Sequence, residues 1–498
     1  MKKRGFVTLL ALLMIVAVFT GCTKKTTETA STEEEPYTVH FLYLVAQEGA
    51  DQAEVEAAVD ALAMKELNMH VELIPMTLGT YESQLPVLMA SGQDLDVAPI
   101  VNRFYGSFVD SEYILNMNDY LQYAPDAVEM LGNEATAVQM GDFLVGFPVK
   151  KERTYQTGIV VRKDIMDELG LSADDFSVTT DDYSTFQQIT DLFAKVKEIH
   201  PEMTCFDGTY IMATQTDTYI DNMGNYFGVL ADYGQTTTVT NWFESDQYRT
   251  FCEIAREWYN AGYLSKDIAV NTDTGEVKMK AGNTFAFMSI LKPNTAQEKE
   301  SLTGYEVEII PVSESMISTS SLSILTYSIA SASKNPEKAM EFLNWAYTSE
   351  EFNDLINWGI EGKHWVVDEN GNAAYPEGVD ISNVGYHNDF GWAYPNQFLG
   401  HAWQGNDADI WEQYDASNKS PDNLTSKAFG FMFDQTECAD EISMLNSVYE
   451  QYKKDLAFGV VDIDSSLKKF NEALYAAGLQ TVMDAKQEQL DAWLAGKN

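Results

Sequence analysis

Residues 37–45 read YTVHFLYLV, residues 69–76 MHVELIPM and residues 95–101 LDVAPIV. The first stretch is apolar nearly throughout, as expected of a strand buried on both faces of a sheet. Between the first two, Val55, Val59, Leu62, Ala63 and Leu67 recur at helical spacing on one face. Between the second and third, residues 80–90 read as another helix, stopped by Ser91-Gly92. Strand, helix, strand, helix, strand in that order predicts parallel pairing with helices covering the sheet, an α/β fold. Such sheets bind ligands outside the carboxyl ends of their strands, here Gln47–Glu48, Thr77–Gly79 and Asn102–Gly106. No GxGxxG follows the first strand, which argues against a dinucleotide.

A second α/β pattern begins near Thr157. TGIVVR at 157–162 reads as a strand, residues 184–199 as an amphipathic helix ending before Pro201, and YEVEIIP at 305–311 and LSILTYSIA at 322–330 as further strands. Asn335-Pro336 marks a sharp helix start, because Asn suits the N-cap and Pro the first helical position. Ala339, Phe342, Leu343 and Ala346 form the buried face of that helix. Two helices close the chain, one carrying Leu467, Phe470 and Leu474 and stopped by Gly478, the other carrying Met483, Leu490 and Leu494. The 498 residues are enough for two domains.

At the other end, Lys2, Lys3 and Arg4 precede an apolar run, FVTLLALLMIVAVF at 6–19, and then FTGC at 19–22. A positive start, a short apolar core and small residues before a cut describe a secretory signal. The run is shorter than the roughly 20 residues a bilayer-spanning helix needs. Cys22 directly after Thr-Gly resembles a bacterial lipobox, with Phe19 in place of the usual Leu. The resemblance implies that Cys22 is acylated, becomes the new N-terminus and anchors the chain on the extracytoplasmic side of the cell membrane. Residues 23–36, TKKTTETASTEEEP, hold no large apolar side chain and read as a flexible tether.

The formal net charge of −44, more negative still once Lys2, Lys3 and Arg4 are removed, repels nucleic acid and anionic headgroups. Cys205, Cys252 and Cys438 remain after Cys22, with no CxxC and no zinc spacing. Either one disulfide forms, Cys205 with Cys252, or three thiols stay free. No GxSxG, HExxH or Ser/His/Asp signature is present, so no enzyme is expected. A glycoside hydrolase stays a remote alternative, because 76 acidic residues provide carboxylate pairs by chance. His40 and His70 fall in strands and read as structural. DENGN at 368–372 has its Gly at the fourth position and no Glu at the EF-hand distance, so Asn370-Gly371 reads as a hairpin turn and no metal or other cofactor is expected.

Three longer stretches carry a family resemblance. DFLVGFPVKKERTYQTGIVVRKDIMDELGL at 142–171, KMKAGNTFAFM at 278–288 and SIASASKNPEKAMEFLNWAYTSEEF at 328–352 resemble the family-1 extracellular solute-binding proteins of ABC importers. NWGIEGKHW at 357–365, YPNQFLGHAW at 394–403 and KFNEALYAAGLQTVMDAKQEQLDAWL at 469–494 look like the Gram-positive lipoprotein branch with an extra C-terminal domain. The resemblance implies a two-lobed, type II periplasmic-binding-protein-like fold with a hinge and a ligand cleft between the lobes. Lobe 1 would comprise 37–150 plus about 323–360. Lobe 2 would comprise 156–320 plus about 385–498, including the C-terminal helical extension, with 151–155 and 320–323 as hinge crossovers. It further implies a monomer that delivers a captured solute, an oligosaccharide, to a membrane permease. A peptide or amino-acid derivative is the alternative, and Arg153, Lys292 or Glu361 would supply its charged anchor.

A sugar offers apolar C–H faces and many hydroxyls, so its receptor needs aromatic rings edged by amides and carboxylates. Tyr105 follows the third strand directly, and Tyr155 lies in the crossover beside Glu152 and Arg153. Trp358, Trp392 and Trp403 lie in the irregular region after the Asn335 helix. These residues, with Gln47 and Lys292, are the candidate ligand-binding set. Trp258, Trp345 and Trp493 sit on helices and read as core, and Glu361 and His364 as a structural pair or polar loop residues.

Overall fold

The structure, a computed structural model, describes residues 35–45, 48–177 and 183–496. The expected signal segment, Cys22, most of the tether and Gln47 lie outside the described residues. No helix among the described residues is long and apolar enough to cross a membrane.

The main strands are β1 (Tyr37–Val45), β2 (Met69–Thr77), β3 (Val97–Val101), β4 (Phe147–Pro148), β5 (Thr157–Arg162), β6 (Thr204–Phe206), β7 (Thr284–Ile290), β8 (Val307–Pro311) and β9 (Leu325–Ile329). They build two sheets, ordered β2-β1-β3-β9-β4 and β8-β5-β7-β6. In the first, β1 runs parallel to β2 along its whole length, from Tyr37 opposite Met69 to Val45 opposite Thr77, and parallel to β3. Helices Gln52–Leu67 and Leu78–Ser91 make the crossovers, as the sequence spacing predicts. The returning β9 is antiparallel to both β3 and β4. In the second sheet β5 is flanked antiparallel by β7 and β8, and β6 adds parallel to β7.

The start of β1 is pinned by a buried carboxylate. Asp96 accepts from the Tyr37 hydroxyl (2.7 Å) and the His40 backbone N–H (2.8 Å), meets the His40 ring at 3.0 Å, and accepts from Ser333. This gives His40 the structural partner its strand position calls for. Strand β9 starts later than expected, at Leu325. Residues Thr319–Ser323 instead turn helical behind a reciprocal Ser318/Ser321 capping box, the local hydrogen bonding that draws Ser away from strands. At Asn335-Pro336 the expected cap forms: the Asn335 side chain accepts from the Lys338 N–H, and helix Pro336–Ala346 buries Ala339, Phe342, Leu343 and Trp345.

Two apolar cores result. Phe41, Tyr43, Phe342 and Phe352 anchor the first; Phe193, Phe206 and Trp258 anchor the second. Tyr386, Ala393 and Tyr394 also pack into the first core, although the sequence reading grouped residues from about 385 with the second lobe. Cys205, Cys252 and Cys438 are free and buried, and burial pushes the Cys205 and Cys252 thiols up to about 12.

The chain passes between the sheets in three places, and these passages are hydrogen-bonded to one another. Tyr155 and Met316 exchange backbone bonds of 2.8 and 2.9 Å. Met316–Ile317 pairs in parallel with Leu424–Thr425. Asn418 accepts from the Arg153 N–H (2.6 Å) and donates to the Lys151 carbonyl (3.0 Å). Arg153 itself is buried against Glu134 at 2.8 Å.

Helices Ala439–Ala457, Ile463–Ala476 and Leu479–Gly496 complete the second core through Leu445, Leu456, Phe470, Leu474 and Leu490. The last of them carries Lys486, fully buried, whose ammonium donates to the carbonyls of Asn222 (2.9 Å), Asn225 (2.8 Å) and Gly228 (2.7 Å). Burial lowers its pKa well below the ordinary value, while nearby Asp221 pulls the other way. Lys486→Met keeps the packing but strands the carbonyls of Asn225 and Gly228, while Asn222 keeps the Asn225 N–H. It is expected to cost about 3 kcal/mol, read as a lower urea midpoint with near-native circular dichroism at zero denaturant.

Candidate ligand cleft

The crossover that leaves β4 places Glu152 and Tyr155 on the wall of a cavity of about 410 Å3. Its other walls are Asp207–Tyr210 after β6, the turn at Thr274–Glu276, and Ser289–Lys292 at the carboxyl end of β7. That is where an α/β sheet is expected to hold a ligand. A second cavity of about 420 Å3 shares Lys292 and Glu298 with the first. It extends to Trp358, Trp403, Trp411 and Tyr414, edged by Asn357, Asp389, Gln397 and Asn406. The pair thus runs from the second sheet across to the irregular region beside the first.

The lysines of this cleft are all paired with carboxylates, while Asp207 and Asp389 line it without an ion-pair partner among the described residues. Lys151 meets Glu152 at 3.0 Å, Lys292 meets Glu298 at 2.7 Å, and Lys299 meets Glu276 and Glu298 at 2.8 and 2.9 Å. Burial pushes Glu276 and Glu298 up, and the lysines outweigh it, holding both below the ordinary carboxylate value. Among the described residues lining the two cavities, two acceptors are buried with no partner, Glu152 Oε2 in one and Gln397 Oε1 in the other; further buried orphans, such as Asp221 Oδ2 and Asn353 Oδ1, lie elsewhere. Buried orphan acceptors are costly unless something donates to them.

Trp358 is almost fully buried, its Nε1 donating to the His401 carbonyl (2.9 Å). Trp403 lies over it with ring centroids 4.8 Å apart, and is backed by His387 (4.5 Å) and Tyr375 (4.7 Å). Trp403, tilted 34° on Trp358 and edge-on to the other two rings, is the more open tryptophan of this aromatic block. Burial raises the Tyr155 phenol above its ordinary value.

Of the candidates in the described residues, Glu152, Tyr155, Lys292, Trp358 and Trp403 line this joined cleft. Trp392 packs on Phe390 (5.6 Å) against the first core instead. Tyr105 is buried with its hydroxyl donating to the Ser323 carbonyl (2.8 Å), and lines a different cavity. Position after a strand brought it to the sheet edge, but the free carbonyl of the returning chain claimed its hydroxyl. Sequence reasoning missed Asp389, Gln397, Trp411 and Tyr414. Trp411 and Tyr414 sit three apart on helix Ile410–Asn418, a spacing that gives a shared face, and Asp389 holds a left-handed backbone (φ 53°) that Asp tolerates better than most residues.

Other motifs resolve structurally. His364 pairs with Asp51 (3.1 Å) and accepts from the Ile360 N–H, while Glu361 stays exposed, so the expected Glu361–His364 pair is replaced by a longer-range one. Asp368 caps a hairpin between Val366–Val367 and Ala373–Ala374, accepting from the Asn370 and Asn372 N–H groups, which makes DENGN a turn. Glu350, Asp354 and His401 bring three metal-capable atoms within 4.8 Å of one another. Both Asp354 oxygens, however, are engaged by His401, one by its ring and one by its backbone N–H, each at 2.7 Å.

Comparison with known proteins agrees with this geometry. Residues 57–360 match the family described as "Bacterial extracellular solute-binding protein", and residues 427–495 match "Domain of unknown function (DUF3502)". A "Carbohydrate ABC transporter substrate-binding protein" of Streptococcus pneumoniae serotype 4 (strain ATCC BAA-334 / TIGR4) is 23% identical over 516 aligned positions, spanning 100% of this chain and 99% of that protein. Among solved structures, the N-glycan transport solute binding protein NgtS of Streptococcus pneumoniae superposes with a TM-score of 0.77 at 20% identity, covering 93% of this chain and 100% of that one. The Streptococcus pneumoniae substrate binding protein FusA in complex with kestose gives 0.60 at 13% identity, covering 92% and 100%.

The aromatic block carries a testable pH signature. Burial among Trp358, Tyr375 and Trp403 lowers the His387 pKa to about 4. A histidine with a depressed native pKa binds protons more readily when unfolded, so its contribution to stability is full above about pH 6.5 and is lost as pH falls toward 4. His387→Phe is expected to flatten the fall in Tm between pH 6.5 and 4 relative to the wild type. Parallel Tm–pH curves for the two proteins would contradict the assignment.

Proposed function

The chain belongs to the bacterial extracellular solute-binding protein family, and we propose that it captures a neutral oligosaccharide outside the cell and passes it to an ABC-type permease. The observation that carries the ligand class is the pairing of every cleft lysine: Lys151, Lys292 and Lys299 each already have a carboxylate partner. Such a site has hydrogen-bonding groups in quantity, aromatic rings to stack on sugar C–H faces, and no free cation for a peptide carboxylate. The named relatives, a carbohydrate transporter component and binding proteins for N-glycans and kestose, support the same class. Glu152 Oε2 and Gln397 Oε1 are the acceptors that ligand hydroxyls would satisfy, with Trp403 and Tyr155 as the apolar platforms.

Capture follows from two lobes that interconvert between open and closed forms, a ligand touching both shifting the population to the closed one. The lobes are the two sheets with their helices, 37–150 plus about 323–360 and 156–320 plus the C-terminal helices, and the hinges are 151–155 and 320–323. No bond is made or broken in this cycle. The lipobox at Cys22 would hold the receptor beside its permease by an N-terminal lipid.

Thermal shifts of residues 37–498 against neutral oligosaccharides, monosaccharides and short peptides test the ligand. A ligand that binds only the folded state stabilises it by about 2.7 kcal/mol at a hundredfold excess over Kd. Stabilisation by an oligosaccharide class, insensitive to salt, is expected; stabilisation by peptides alone, weakened by salt, would overturn the carbohydrate reading. Trp403→Ala and Glu152→Ala should each weaken that binding about tenfold, since residues that fill the centre of a site carry most of its energy. Separately, Cys22→Ala should move the chain from the membrane fraction to the medium, and retention on membranes would exclude the lipid anchor.

A further inference from the structure

The Tyr105 cavity, about 310 Å3, lies on the other side of the helical turn Thr319–Ser323 from the ligand cleft. Ser320 and Ser323, three apart and on one face, line it, whereas Ser321 lines the cleft. One wall is the segment Asn102–Asp110 that follows β3; the other is Phe431–Ile442, from the stretch matched as a domain of unknown function. The C-terminal extension therefore reaches the first lobe behind the hinge.

Phe429 and Met432 of this extension pack against the first core, and one side chain adds a polar crossing contact. The Thr436 hydroxyl lies 2.8 Å from Asp110 Oδ2 in the first lobe and 2.7 Å from Asp434 Oδ1 in its own segment. A hydroxyl has one proton to donate, so it serves one carboxylate at a time. If the lobes separate here, the hydroxyl still donates its hydrogen bond to Asp434 and no donor is orphaned. Opposite, Gly106 leaves room: a Cβ there would meet Thr436 Oγ1 at 3.7 Å, Met140 Cε at 3.8 Å and Asp434 Oδ1 at 4.0 Å, and a larger side chain would press on the C-terminal segment.

We propose that the C-terminal extension is a back stop for the hinge. Two bodies that turn about a pivot part on one side as they meet on the other. The Thr436–Asp110 contact belongs to the conformation with the cleft open, and is given up as the cleft closes. The extension then sets how often the ligand-free receptor closes, and with it the apparent affinity, without touching the ligand. This rests on the two-lobed capture cycle proposed above.

Single-molecule energy transfer tests it in the ligand-free full chain, with dyes on cysteines replacing Val87 and Val270, which are 68% and 78% exposed, one in each lobe. The wild type is expected to show a major and a minor distance. Thr436→Val should raise the minor population about twofold, the scale of one exposed hydrogen bond, and the wedge Gly106→Phe about tenfold. Thr436→Val, a surface isostere, keeps the test readable if the wedge misfolds. Two distances at an unchanged ratio would overturn the back stop and leave the capture cycle standing. A single distance in all three proteins would overturn the capture cycle and the inference with it.

Discussion

The bonds that tie the three interlobe passages together are the constraint on which the rest of the molecule depends. A backbone segment that leaves one sheet for another loses its ladder partners, and buried N–H and C=O groups without partners are expensive. Here each passage supplies the partners of the next: Tyr155 with Met316, Met316–Ile317 with Leu424–Thr425, and Asn418 with Lys151 and Arg153. The two lobes are consequently joined by a narrow paired strip. The cleft and the Tyr105 cavity lie against this strip and the Thr319–Ser323 turn beside it.

The division of labour between cores and cleft follows. Each sheet buries its own aromatic cluster, and buried Lys486 locks the last helix to the second lobe through the loop carbonyls of Asn222, Asn225 and Gly228. The groups left toward the cleft are those a core would reject: paired ions, two acceptors without donors, and an aspartate in a left-handed backbone. Polar groups kept partly unsatisfied and backbone strain are usual marks of a site whose missing partner is a ligand.

Much of the scaffold was legible in the sequence because the signals were local. The apolar run of β1, the 3.6-residue spacing of Val55, Val59 and Leu62, and the Asn335-Pro336 cap each act within a few residues and formed as read. The β9 start was misplaced because serine side chains, not strand propensity, decided Thr319–Ser323. The cleft was only partly legible because its walls come from segments far apart in the chain. Trp358 and Trp403 meet across a loop, and nothing in their spacing says which ring is open. Tyr105 and Trp392 have the right chemistry and neighbourhood, yet a carbonyl and a phenylalanine claim them.

The β1–β2 register has a mechanical consequence. The chain enters the fold at Tyr37, where Asp96 clamps the first residues of a strand whose neighbour runs parallel to it for its whole length. Tension applied through the residues ahead of Tyr37 acts along that strand, so the ladder is loaded in shear, all rungs together, and cannot be peeled one rung at a time.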